Sequence, residues 1–553
     1  MFKRIENWVS SGAPWVWLSA GAVSVSLLMV FGLLLLIALR GLGYFWPADI
    51  VQMEYQQNDN QTVLVAGEIK ESEDVTLERL GDVTTEENKG NLVTRYLVKT
   101  GNRDVVGLDF RWLREDRILS KTEPENIIAI ERREWGNFYG KIVGIIENGT
   151  TNVATDDMEA EIDARLERAL EIHSDIKDIE KHEIGAINYQ IEQLRLDERR
   201  LELKGDTSEN SRLPLIEKRK ALDKQYEVLF ARLNELNSEI QRDTLVVETV
   251  TGQKVNVAFG KIVNIYYPNA MSVFEKSAYY LYKVWEFISD EPREANTEGG
   301  IFPAIFGTVL MVILMSVMVT PFGVIAALYL REYAKQGFIT RTIRIAVNNL
   351  AGVPSIVYGV FGLGFFVYFL GGNLDALFYP EALPAPTFGT PGIMWSSLTL
   401  AILTLPVVIV ATEEGLSRIP RAVREGSLAL GATKAETLLK VVIPMSSPAI
   451  MTGLILAVAR AAGEVAPLML VGVVKLAPSL PLDGNFPFLH MERKFMHLGF
   501  HIYDVGFQSP NVEAARPLVY ATALLLVVVI IVLNLAAIAI RNRLREKYRA
   551  LEN

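Results

Sequence analysis

Arg460 and Glu464 stand four residues apart inside PAIMTGLILAVARAAGEVAPLMLVGVV, a run that is otherwise apolar and long enough to span a bilayer. A charge at mid-membrane costs roughly 2.5 to 3.5 kcal/mol on insertion scales, so such side chains face a protein interior or a water-filled path. The arginine fork stays protonated and donates two parallel hydrogen bonds to an oxyanion. A glutamate four residues on stacks on the same helical face and can pair with it. Together they suggest an exchange. Arg460 would hold Glu464 in one state and a passing anion in the other, so the cation does not retain its cargo. Gly463 and Pro467 loosen or kink the helix between and beyond them, which suits a segment that moves. The competing reading is a static buried ion pair that fixes helix packing.

The elements that position this pair are membrane spans. Half of the 553 residues are hydrophobic, and six stretches approach the roughly 20 apolar residues that cross a hydrocarbon core. They lie at about 15–39, 302–330, 346–370, 393–412, 448–473 and 518–540. The first is expected to stay as an anchor, because its apolar core is too long for a cleaved signal and no small-x-small site follows before Arg40. In the third, the Gly and Pro residues of AGVPSIVYG (351–359) mark either close helix packing or a substrate path.

Charge divides along the chain. Residues 41–300 hold 33 Lys and Arg against 50 Asp and Glu, a local charge of −17, and the rest carries +7. The basic short segments MFKR, REYAKQGFITRTIR, SRIPRAVREG and RNRLREKYR fall before the first span and after the second, fourth and sixth. Short-loop Lys/Arg bias puts them all in the cytoplasm, and sends 41–300, 371–392 and 474–517 outside. With no cysteine there is no disulfide framework, thiol nucleophile or Cys-based metal site. His490, His497 and His501, seven and four apart, would share a face if their loop were helical, although a structural role suits them better than metal binding.

Within 41–300, residues of about 60–150 carry β-type runs such as TVLVAGEIK and FYGKIVGII. From about 155 to 242 the period becomes helical. Leu222, Tyr226, Leu229, Leu233, Leu236 and Ile240 repeat at four and three, a coiled-coil seam. An earlier helix with Ile162, Leu166, Ile172, Ile176, Ile187 and Leu194 is separated from it by KGDTSENSRLP, read as a turn, so the pair predicts an antiparallel hairpin. A further β stretch follows at about 243–267. The many charges are a solvated surface or a docking surface.

Between spans four and five, residues 413–447 predict two short helices hinged at Gly431, with Leu428, Leu430, Leu438 and Leu439 as apolar contacts and Pro444 ending the second helix. This loop resembles the EAA motif of ABC importer permeases: Glu425, Gly431, Val441, Ile443 and Pro444 keep its order. Gly426, Ser427, Val441 and Ile443 depart from its strict letters. PFGVIAALYLREYA, NNLAGVPSIVYGVFGLG, LTLPVVIVATEEGL and RAAGEVAPLML resemble phosphate importer permeases, and Gly-Glu-x-Ala-Pro is closer to the PstA subunit than to its PstC partner. The resemblance covers the first span and 300–553, and leaves 41–300 outside it.

The resemblance implies an all-α polytopic membrane protein of the type I ABC importer permease fold, here with an inserted periplasmic α+β segment containing the coiled-coil hairpin. It implies residence in a bacterial inner membrane, with 1–40 and 301–540 as the membrane part and 541–553 as a cytoplasmic tail. The implied partners are a second permease subunit of PstC type, an ATP-binding dimer of PstB type, a periplasmic phosphate-binding protein of PstS type and membrane lipid, without nucleic acid. Arg460, Glu464, Gly463 and Pro467 would serve phosphate passage, and Glu425, Gly431, Val441, Ile443 and Pro444 would couple to the ATPase. No cofactor or metal is expected. The chain has no G-x-x-x-x-G-K-[ST], since neither Gly140-Lys141 nor Gly260-Lys261 has a glycine five residues before its own; ATP hydrolysis would fall to a partner. Permeases for sulfate or another oxyanion, and a non-transporting sensor or scaffold built on the hairpin, are the alternatives.

Overall fold

The computed structural model describes residues 10–57, 61–80, 92–149, 151–152, 157–206, 208–293, 296–509 and 512–548. The end of the tail, 549–553, lies outside them. Among the described residues, six helices are long and apolar enough to cross a membrane. The first, α1 (Ala13–Gly43), leads into an extramembrane domain.

That domain holds two antiparallel sheets. The first runs β4-β3-β2-β1-β5, from β1 (Ile50–Gln56), β2 (Thr62–Thr76), β3 (Leu92–Lys99), β4 (Phe110–Arg114) and β5 (Ile118–Thr122). The second runs β10-β9-β7-β6-β11, from β6 (Ile128–Arg132), β7 (Phe138–Glu147), β9 (Asp243–Glu248), β10 (Lys254–Ala258) and β11 (Ile262–Tyr266), with β8 (Thr151–Asn152) on β7. Strands from before and after the hairpin thus complete one sheet. In β9, buried residues alternate with half-buried ones, the period-2 mark of a strand with one face in a core.

The hairpin is α2 (Met158–Asp178), a widened turn at Ile179–Glu183, α3 (Ile184–Leu203) and α4 (Glu209–Ile240). Its base sits on the second sheet, where Ile162, Leu166 and Ala169 join Phe138, Leu245 and Val257. Farther out, Ile172, Ile176 and Ile179 pack with Leu236, and Ile187 and Leu194 with Leu222, the order of an antiparallel pair. Each buried Leu or Ile contributes about 1.5 to 3 kcal/mol. Arg165 pairs with the buried Asp243 at 2.7 Å, tying the hairpin base to β9. The turn is shorter than KGDTSENSRLP predicts, because α4 begins at Glu209 and Pro214 lies inside it.

The domain leaves where it entered. Asn269 accepts from the Ile50 amide at 2.7 Å and donates to the Ile50 and Pro124 carbonyls at 2.8 and 2.9 Å. α5 (Val273–Ser289), started by a Ser272/Glu275 capping box, then carries the chain down to the second span.

The remaining spans are built from α6 (Phe302–Leu328), α8 (Ser355–Phe361) continued by wide turns to Phe378, α9 (Ile393–Arg418), α12 (Ile443–Gly463) and α15 (Val512–Tyr548). α9 is the central helix, buried between α6 and α12. Small residues let the backbones approach: a Cβ on Gly323 would meet Val408, and one on Gly453 would meet Ala411. α1 touches α15 closely, since a Cβ on Gly41 would lie 2.9 Å from the Tyr520 carbonyl.

Candidate functional site: two broken helices and an exposed helix turn

Arg460 lies in the last turn of α12, and the helix stops three residues later. Glu464 has extended backbone (φ −83°, ψ 127°), so the two residues do not stack on one continuous helical face as their spacing predicts. Pro467 accounts for the break, because its ring would clash with the Gly463 carbonyl and pushes Ala466 out of helix geometry. A short helix, α13 (Leu468–Val471), follows. The pair nevertheless persists: Arg460 Nε is 3.6 Å from Glu464 Oε1, both side chains partly exposed. That distance is an ion pair beyond good hydrogen-bond length. Neither charge is locked by a fork-to-fork contact, and both remain open to exchange. The space a Cβ on Gly463 would occupy is empty, so its lack of a side chain leaves room beside the pair.

Span three is broken as well. An amphipathic helix, α7 (Phe338–Leu350), precedes a non-helical step at 351–354, and α8 begins only after Pro354. The spanning helix therefore runs from Ser355 to Phe378 instead of starting at 346. The two interruptions abut. A Cβ on Gly359 would lie 2.7 Å from Pro467 Cα, and one on Gly362 would meet Thr399 and Val471. Tyr358, within electrostatic reach of Arg460, donates from its hydroxyl to the Leu350 carbonyl at 2.7 Å across the break. AGVPSIVYG is thus a close-packing element against the 464–467 segment. Irregular backbone at membrane depth is tolerated where it is buried in protein or lines a water-filled cavity, and here two such stretches flank an Arg-Glu pair.

On the opposite face, α10 (Arg421–Ala429) and α11 (Lys434–Thr437) are joined by a turn in which Gly431 has φ +87°. Any other residue there costs about 1 to 2 kcal/mol. α11 starts with a Thr433/Glu436 capping box. Pro444 does not end this helix. The chain continues from Lys434 through a widened turn at Leu438–Val442 into α12, and that turn absorbs the proline. Glu425, Leu428, Leu430 and Leu439 are exposed, whereas Leu438 is buried with Val442 and Leu416. Of the motif positions, Glu425 and Gly431 are on the exposed turn, and Val441, Ile443 and Pro444 are half-buried on the helix behind it.

Sequence reasoning missed the residues that brace this turn. Arg424 pairs with Glu332 at 3.0 Å and donates to the Leu416 carbonyl at 2.7 Å, and Arg344 pairs with Glu413 at 3.3 Å. Their signal was the charges in LREYA and ATEEG at span ends. The three histidines do not gather. His490 bonds Asp483 and Glu492, His497 caps α14 (Leu498–Tyr503), His501 lies near Thr522, and among the described residues no group of His, Asp or Glu could hold a metal ion.

Two loops between the spans also receive the hairpin. Tyr189 on α3 donates to the Phe486 carbonyl at 2.5 Å, and Arg200 holds Glu381 at 2.6 Å. Burial pushes the Glu381 carboxyl up, but Arg200 outweighs it and holds it below the ordinary value.

Residues 319–549 match the family of binding-protein-dependent transport system inner membrane components. The phosphate transport system permease protein PstA 1 of Mycobacterium tuberculosis (strain CDC 1551 / Oshkosh) is 34% identical over 247 residues, 44% of this chain and 71% of the relative. The probable ABC transporter permease protein YqgI of Bacillus subtilis (strain 168) is 31% identical over 46% of this chain and 81% of its own length. A chain of the inward-facing MetNI methionine ABC transporter is similar at 18% identity, covering 44% of this chain and 94% of that one with a TM-score of 0.33, a likeness from which nothing further is drawn. With two broken spans around an Arg-Glu pair and this match to most of a curated relative, the chain belongs to the family of phosphate transport system permease proteins of the PstA type.

Proposed function

We propose that the chain is a membrane-spanning subunit of an ATP-driven importer of inorganic phosphate, in which it forms half of the path. The observation that carries this reading is the loose Arg460–Glu464 pair at the break of α12, packed against the break of span three. Phosphate would displace Glu464 from Arg460, take the two parallel hydrogen bonds of the guanidinium, and leave when the carboxylate returns. The second half of the path would come from a PstC-type permease. A periplasmic binding protein of PstS type would deliver the anion, and a PstB-type ATPase dimer would supply the energy that this chain, without its own nucleotide site, does not. The exposed turn with Glu425 and Gly431 would seat in that ATPase, and Val441, Ile443 and Pro444 would transmit its movement into α12.

In this orientation the residues before the first span and after the sixth are cytoplasmic, and 41–300 is periplasmic. The test is ATP-dependent uptake of radiolabelled phosphate by the assembled complex. Arg460→Gln is expected to abolish uptake while the complex still assembles and recruits its ATPase, with Arg460→Lys as the charge-retaining control. Glu425→Ala is expected to uncouple ATP hydrolysis from uptake. Uptake surviving Arg460→Gln would make the pair a packing device.

A further inference from the structure

A cavity of about 810 Å³ lies where the external domain meets the membrane. Its membrane wall is the outer end of α1, from Leu39 to Tyr44, and the first turns of α15, from Ala515 to Tyr520; the first sheet roofs it at Leu97 and Phe110. Six Lys and Arg but only four Asp and Glu line it, an excess of two positive charges. The excess runs against its surroundings, because residues 41–300 carry −17. Among the acids, Arg516 holds Glu71 at 3.3 Å, Lys475 holds Asp504 at 3.0 Å, and Lys99 holds Glu298 at 3.6 Å. Arg40, in the last turn of α1, has no ion pair among the described residues.

In the proposed orientation Arg40 and Arg516 sit at the outer ends of their spans, the side that short-loop charge bias leaves poor in cations. Two guanidiniums beside an apolar wall at the membrane surface match a ligand that is anionic at one end and apolar at the other. The flank of α1 that would receive the apolar end is bare along its length. We infer that the cavity binds the phosphate of an anionic phospholipid headgroup from the outer leaflet, held by Arg40 and Arg516, with the acyl chains along α1. Free inorganic phosphate offers the same oxygens to the guanidiniums but has no use for the apolar wall.

The test is native mass spectrometry of the full chain released from nanodiscs of mixed phosphatidylcholine and phosphatidylglycerol. Wild type is expected to retain one phosphatidylglycerol, and Arg40→Gln/Arg516→Gln to retain it at least about tenfold less, as expected for losing two charge-assisted contacts. Arg541→Gln/Arg543→Gln, which removes two cations at the other end of α15, should retain it like wild type. Equal loss in both double variants means a nonspecific lipid annulus and overturns the site, as does unchanged retention in the first. Displacement by millimolar inorganic phosphate makes it a free-anion site and overturns the lipid assignment. Should Arg40→Gln/Arg516→Gln fail to fold, a photo-crosslinking phosphatidylglycerol on wild type decides: label on 39–44 or 515–520 supports the site, and label elsewhere overturns it.

Discussion

His497 is fully buried, and its Nδ1 accepts a hydrogen bond from the Gly499 amide at 3.1 Å, which places the ring proton on Nε2. Burial pushes its pKa down to about 4. For His501, burial acts in the same direction, Asp504 opposes it in part, and the result is again about 4. Both rings are neutral in the folded protein, whereas in the unfolded chain they take up protons near 6.5. The unfolded state therefore binds more protons between about pH 6.5 and 4, and stability falls as pH drops through that window. Each ring accounts for about 3 kcal/mol at the acid end. Thermal unfolding of the detergent-solubilised protein should show the loss below pH 6.5, and His497→Asn, which keeps an acceptor for Gly499 without a titrating ring, should remove about half of it and leave the His501 share. The sequence showed the histidines but not this, because burial of a loop depends on what packs over it. Arg460 and Glu464 were legible as a pair, since spacing and apolar context suffice for that. The way they meet was not, since the break at Gly463 depends on a proline three residues beyond the pair.

Helices in this protein were easier to find than their ends. Apolar runs located all six spans, yet α12 is continuous with the exposed helix turn through Pro444, and span three starts only after Pro354. Hydropathy records that a segment is apolar, while a proline's effect depends on whether a widened turn can take up the missing bond. Packing between elements gives a sharp test. Gly359→Ala would put a methyl carbon 2.7 Å from Pro467 Cα, backbone that cannot swing away, whereas Gly364→Ala meets nothing within 4 Å. The first should cost about 1 to 3 kcal/mol by overpacking and depress phosphate uptake. The second should leave both thermal stability and uptake near wild type. Of the residues at four-and-three spacing, Leu222, Leu229, Leu233, Leu236 and Ile240 pack against the facing helix, whereas Tyr226 is exposed. Invisible in sequence was that β9 and β11 return to pair with β7 and β6, because strand pairing across a hundred residues leaves no local signature.

At the level of the molecule, the hairpin reaches over and grips two loops of the membrane part, one through Tyr189 and the other through Arg200. Arg200→Ala would leave the buried Glu381 carboxylate without its cation and should cost about 1 to 3 kcal/mol. Glu381→Gln in the same chain should restore part of that loss, which thermal unfolding of the single and double variants measures. No motif pointed to this contact, since it joins residues 181 positions apart. The three bonds of Asn269 carry a different consequence. They fasten the first strand of the extramembrane domain to the segment that leaves it, so more than two hundred residues depart from and rejoin the chain at one place, with the Tyr189 and Arg200 contacts as further ties. A part whose two ends lie together can be grafted or excised without respacing the spans that flank it. The path between the first and second spans is thus built to accept an exchangeable module, and a short loop in its place would leave the six helices joined in the same order.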